Sequence, residues 1–145
     1  MARVRLKLPD SFPFETLIRV RVDDINYGGH LGNDSVLSLL HEARVRFLQH
    51  YGFTELDIGG AGTIMTDAVV MYLAEAFLGD IIRIRVTTGD FNKYGCDFLY
   101  QLDKNDGKEI ARAKTGMVCF DYGARKMMRV PDVFIERCKF DSQKG

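Results

Sequence analysis

The sequence predicts an α+β fold in two layers, one long helix packed on a five-stranded antiparallel sheet. Three observations predict it: a single long helical pattern, strands on both sides of it, and tight turns between the later strands. Residues 16–23 come first. Ile18, Val20 and Val22 alternate with Arg19, Arg21 and Asp23, the period of a half-buried strand. Residues 24–34 follow, with Gly28, Gly29, Gly32, Asn26 and Asn33 marking a loop of unusual backbone angles. The helix is expected over 34–50. Val36, Leu37, Leu39, Leu40, Ala43, Phe47 and Leu48 give it a broad apolar face, suited to burial against a sheet. Asn33 or Asp34 is the expected N-cap and Gly52 the stop.

Beyond a Gly-rich loop, strands are expected at 63–77, 80–90, 93–103 and 109–121. Gly79-Asp80 and Asp106-Gly107 read as tight turns, which require antiparallel pairing. Pro131 is expected to open a short last helix, 131–138, and the tail after Phe140 reads as frayed. A sheet of this kind leaves edge strands open, and dimerisation is one way to cover them.

Composition narrows the function. The chain has 145 residues, near the size of one domain, so residues 1–145 are expected to form one unit. It is 46% apolar, enough for a sizeable core. Twenty Lys plus Arg balance twenty Asp plus Glu, which argues against a general nucleic-acid binder. No apolar run approaches the roughly 18 residues of a membrane span. Met1 to Pro9 alternate basic and apolar residues without an apolar signal core, so no signal peptide is expected. Cys96, Cys119 and Cys138 lie outside metal-ligand spacing, and His30, His41 and His50 form no zinc-type cluster with them. Free thiols in a reducing cytoplasm, with neither metal nor cofactor, are the expectation.

The polar residues with chemical potential concentrate before the helix: Asp23, Asp24, Asn26, Tyr27, His30, Asn33 and Asp34. Glycines there let a ligand approach the backbone. The first helical N–H groups lack intrahelical partners and carry the positive end of the dipole, so they can hold a developing oxyanion. A capped helix with a Gly-rich turn would have the same composition.

Order and spacing add a resemblance. Asp24-Ile-Asn26-Tyr-Gly-Gly29-His30-Leu-Gly32-Asn33 resembles the Asp-x-Asp-x-x-Gly-His-Val-Asn-Asn motif of hotdog-fold acyl-CoA thioesterases, the 4-hydroxybenzoyl-CoA thioesterase-like group. Glu42-Ala43-Arg44 with Phe47, Tyr72-Leu73-Ala-Glu-Ala-Phe-Leu-Gly79-Asp80 and Arg129-Val130-Pro131 resemble three further family segments, so the similarity spans about residues 15–138. It implies a sheet wrapped around one central helix, a homo-oligomer (dimer or tetramer), and acyl-CoA sites between subunits.

In the family the second Asp of Asp-x-Asp is the base or nucleophile. Here that position is Asn26, and an amide cannot accept a proton at neutral pH. Asp34 is the first substitute base and Asp24 the second. Asn26 and the Asn33 backbone would orient substrate or water, and His30 would position substrate or move a proton. Gly29 and Tyr27 complete the expected substrate contacts. Glu42 and Arg44 read as structural, His41 as a partly buried helix residue, and Tyr72 as packed in the sheet. Lys93, Arg112, Lys114, Arg125 and Lys126 are open candidates for coenzyme A phosphates. The expected activity is hydrolysis of acyl-CoA to free acid and coenzyme A. The alternatives are a non-catalytic acyl-CoA binder made inert by Asn26, or an enoyl-CoA hydratase-type activity suggested by Asp24-x-Asn26.

Overall fold

The computed structural model describes residues 3–140, and the expected fraying of the tail lies outside them. Strand β1 spans Phe14–Arg19, helix α1 Asn33–His50, β2 Gly62–Tyr72, β3 Ile81–Gly89, β4 Gly95–Lys104, β5 Glu109–Asp121, β6 Lys126–Met127 and α2 Asp132–Cys138. All pairings are antiparallel, in the order β1-β3-β4-β5-β2, with the two-residue β6 added at the end of β5. The α+β expectation therefore holds, with one extra short strand. Sequence-adjacent β1 and β2 lie at opposite edges, because α1 crosses the sheet between them.

Alternation decides which face meets the helix. Ile82, Ile84 and Val86 of β3 are fully buried, while Arg83 and Arg85 point the other way. Phe98, Tyr100 and Leu102 on β4, and Ala111 and Ala113 on β5, continue the buried layer. Leu39, Leu40, Ala43, Phe47 and Leu48 of α1 pack into the same core. Phe47 is its aromatic hub, with ring centroids 5.7 Å from Phe14, 5.5 Å from Phe98 and 4.8 Å from Tyr51.

Several boundaries differ from the expected ones. The first strand ends at Arg19, and a 3-10 turn over Val22–Asp24 swings Val22 out to 72% exposure. The second strand stops at Tyr72 rather than 77, as residues 73–80 bend into the turn closed by Asp80 N–H on Phe77 O. The N-cap of α1 is Gly32, with Asn33 and Asp34 already inside the helix. Pro131 is the N-cap of α2 rather than a member of its first turn. Gly52 does end α1. It sits at φ +86°, donates to Gln49 O, and lets Phe53 N–H reach back to Leu48 O, a Schellman closure. The three thiols are buried, as expected, and burial raises Cys119 to about 11 and Cys138 to about 12, so both stay protonated at neutral pH.

The longest buried charged side chain belongs to α1. Arg44, on the apolar side of α1, is 6% exposed. Its Nε donates to Glu55 Oε2 at 3.2 Å and its Nη1 to the Tyr100 hydroxyl at 3.1 Å. That hydroxyl is 2.6 Å from Thr115 Oγ1. His41, expected to be partly buried, is exposed and meets Glu55 Oε1 at 2.7 Å. Glu55 thus bridges surface and core, and its backbone carbonyl accepts from Thr63 at the start of β2. Glu42 instead pairs with Arg46 one turn on, at 2.8 Å.

Two stability outcomes follow by urea unfolding. Phe47→Ala costs about 3–5 kcal/mol, as aromatic-to-alanine cavities do. Glu55→Gln costs about 1.5–3 kcal/mol, since a charged hydrogen bond to a buried guanidinium is weakened.

Candidate active site

The loop between β1 and α1 is held by its own polar side chains. Asp24 is buried, and its carboxylate accepts the Arg21 N–H at 2.9 Å. Its carbonyl accepts the Gly32 N–H at 3.0 Å. Asn26 Oδ1 accepts the Gly28 N–H at 2.9 Å and faces the His30 N–H at 3.4 Å. Both side chains are therefore engaged in shaping the loop. Gly29 closes it at φ +86°, donating to Asn26 O. Tyr27 is fully exposed and lies away from the cavity described next.

That loop delivers the start of α1 to a cavity of about 260 Å³ lined by His30, Asn33, Val36, Tyr72, Leu73 and Glu75, among others. Among the described residues, the amides of Asn33, Asp34 and Ser35 have no backbone or side-chain acceptor; the helix ladder begins with Val36 N–H on Gly32 O. The Tyr72 hydroxyl donates to Asn33 O at 3.1 Å, fastening the end of β2 to the first helical residue. Burial, and then the nearby Asp34 charge, raise the Tyr72 pKa, so it remains a donor. Tyr72 thus lines the cavity half-exposed rather than packing within the sheet.

Asp34 follows Asn33 in the first turn of α1, outside the lining of that cavity, exposed and without an ion-pair partner among the described residues. Its carboxylate curls back over Gly32. A side-chain carbon built on Gly32 would lie 2.7 Å from Asp34 Oδ1 and 3.5 Å from Asn26 Cβ. The two side chains therefore flank the same glycine, beside the free helix amides. Any larger residue at Gly32 would displace the carboxylate.

His30 is partly exposed, its Nε2 3.7 Å from Glu75 Oε1 and its ring edge-on to Phe77. Glu75 was missed by the sequence reading. The available signal was its place in Tyr72-Leu73-Ala74-Glu75-Ala76, inside one of the segments that carry the family resemblance. A second cavity, about 240 Å³, lies further along the seam between α1 and β2, lined by Leu37, Ser38, Leu40, His41, Arg44, Met65 and Thr115. Of the lysines and arginines raised for phosphates, Lys114 faces Asp67 at 3.5 Å and Arg112 is held by Glu109 at 2.8 Å. Among the described residues, no group of three or more His, Cys, Asp or Glu could hold a metal ion.

Three solved structures illustrate the likeness. A 1,4-dihydroxy-2-naphthoyl-CoA thioesterase from Synechocystis aligns with a TM-score of 0.76 at 21% identity, covering 83% of this chain and 91% of that one. A thioesterase from Thermus thermophilus, complexed with coenzyme A and zinc, aligns with a TM-score of 0.77 at 25% identity, covering 88% and 98%. A DHNA-CoA thioesterase from Staphylococcus aureus aligns with a TM-score of 0.76 at 18% identity, covering 84% and 83%. No curated protein matches the chain by sequence. Residues 20–138 match the thioesterase-like superfamily across most of the chain, with the wrapped helix of its hotdog fold already in place, and the chain belongs to that superfamily.

Proposed function

We propose that this chain hydrolyses acyl-CoA thioesters to free acid and coenzyme A, with Asp34 as the general base. The observation that carries the reading is the convergence over Gly32 of an unpaired carboxylate, Asp34, with the helix amides. Asn26 stands where the family's carboxylate would be and has no basic function; Asp34 restores a base at the same glycine. Asp24 is buried and already bonded, which favours Asp34 over it.

Asp34 takes a proton from water as the water oxygen bonds to the thioester carbonyl carbon. The carbonyl oxygen becomes an oxyanion, and the N–H groups at Asn33–Ser35 donate to it. The carbon–sulfur bond then breaks, the acid leaves, and the proton on Asp34 passes to the departing thiolate. His30, beside Glu75, positions the thioester arm. Gly29 leaves the loop backbone open to it, while Tyr27, fully exposed and outside the cavity, takes no part.

The acyl group extends along the α1–β2 seam towards the second cavity. That seam is open on its β2 side, and β2 is an 11-residue edge strand with Met65 exposed. A bulge between Met65 and Asp67 interrupts its register. A second copy would close the seam, so the working unit is a homodimer, or a tetramer built from two such dimers, with one domain per chain. No helix among the described residues is long and apolar enough to cross a membrane. The buried free thiols fit a cytoplasmic protein.

The test is free-thiol release from a panel of aromatic, short, medium and long acyl-CoAs. At least one is turned over, and Asp34→Asn lowers its kcat by about 10²–10⁴-fold while the fold is retained. Release from none of them, with saturable binding, would make the chain a binder. Full turnover by Asp34→Asn would move the base elsewhere, Glu75 being next.

A further inference from the structure

The N-terminal arm, ahead of β1 and outside the span matched by the superfamily, is not used by the chemistry above. After a bend at Arg3–Val4, the exposed cations Arg5 and Lys7 alternate with the partly buried Leu6 and Leu8. The arm is fixed to the sheet. Leu6 N–H points to Met71 Sδ at 3.1 Å, and Arg112 Nη1 donates to Leu6 O at 3.3 Å. Met71 and Arg112 are themselves register partners on β2 and β5.

Between arm and sheet lies a cleft of about 400 Å³ lined by Arg5, Leu6, Lys7, Met71, Leu73 and Arg112. Glu109 occupies Arg112. Among the described residues, neither Arg5 nor Lys7 has a carboxylate partner. Leu73 lines both this cleft and the cavity at the start of α1. Met71 and Arg112 lie on the face of the sheet opposite Tyr72 and Ala111, so the two spaces open on opposite faces and share Leu73, just past the end of β2.

We propose that this cleft binds the phosphates of coenzyme A through Arg5 and Lys7, with the pantetheine arm passing over Leu73. The inference rests on the hydrolase reading for the position of the thioester. Arg5 provides the planar fork that matches phosphate oxygens, Lys7 a point charge, and Arg112 the brace that holds the arm over the sheet. It places the acidic end of the substrate at a segment the superfamily match does not cover.

The experiment compares the panel's fastest acyl-CoA with the same acyl group on pantetheine, which has no phosphates, in the full chain and in Arg5→Ala/Lys7→Ala. The double variant raises KM for acyl-CoA about tenfold or more, and moves KM for the pantetheine thioester less than about twofold. The native KM for acyl-CoA also rises with salt, and this rise is smaller in the variant. An equal shift on both substrates, or none on either, overturns the proposal.

Calorimetry with free coenzyme A and free pantetheine reads the cleft without turnover. Native protein binding coenzyme A the more tightly, with that preference lost in the variant, supports the cleft even if no thioester is cleaved. Equal binding of the two, or a preference that survives in the variant, overturns it whatever the activity.

Discussion

Burial of α1 across one face of the antiparallel sheet is the constraint on which the rest depends. The helix approaches the sheet most closely at β1 and β3, and the buried side chains of β3, β4 and β5 fill the layer beneath it. Phe47 locks its far end among Phe14, Phe98 and Tyr51. Once that end is fixed, the position of the first turn is fixed too. Asn33 then lines the cavity beside Val36 and Tyr72, and the amides of Asn33–Ser35 have no acceptor among the described residues.

The loop before the helix uses some of its polar side chains to hold its own backbone. Asp24 and Asn26 hold the backbone through Arg21, Gly28 and Gly32. Asp34 lies over Gly32 with no ion pair among the described residues, and Tyr72 ties the helix to the sheet through the Asn33 carbonyl. Asn26 is thus a loop anchor, its Oδ1 accepting the Gly28 N–H. The carboxylate of Asp34 stands across Gly32 from it, beside the same amides.

The Arg44 network works by a different balance. A buried guanidinium is costly unless its donors are used, and burial works against its charge; Tyr100 and Glu55 beside it nevertheless hold its pKa above the ordinary value. The network ties α1, the Glu55 loop, β4 and β5 together where the second cavity begins. Specific geometry at that point of the seam is therefore set by polar contacts, whereas the remainder of α1 is held by apolar packing.

By itself, the sequence determined what depends on local pattern. The period-two alternation of Ile82, Ile84 and Val86, the helical spacing through Phe47, the Gly52 stop and the Asp-Gly turn each act through neighbours in the chain, so all were legible. The glycine-rich loop before α1 and the family segments around it were legible for the same reason. Tertiary structure alone decided the partners of side chains that meet across large sequence separations. Arg44 finds Tyr100 and Glu55, Tyr72 finds Asn33, and Glu75 finds His30. Strand ends were decided there too, because Val22 and residues 73–77 keep apolar patterns after the chain has left the sheet. Local periodicity records which way a residue faces; only the packed chain settles what it faces.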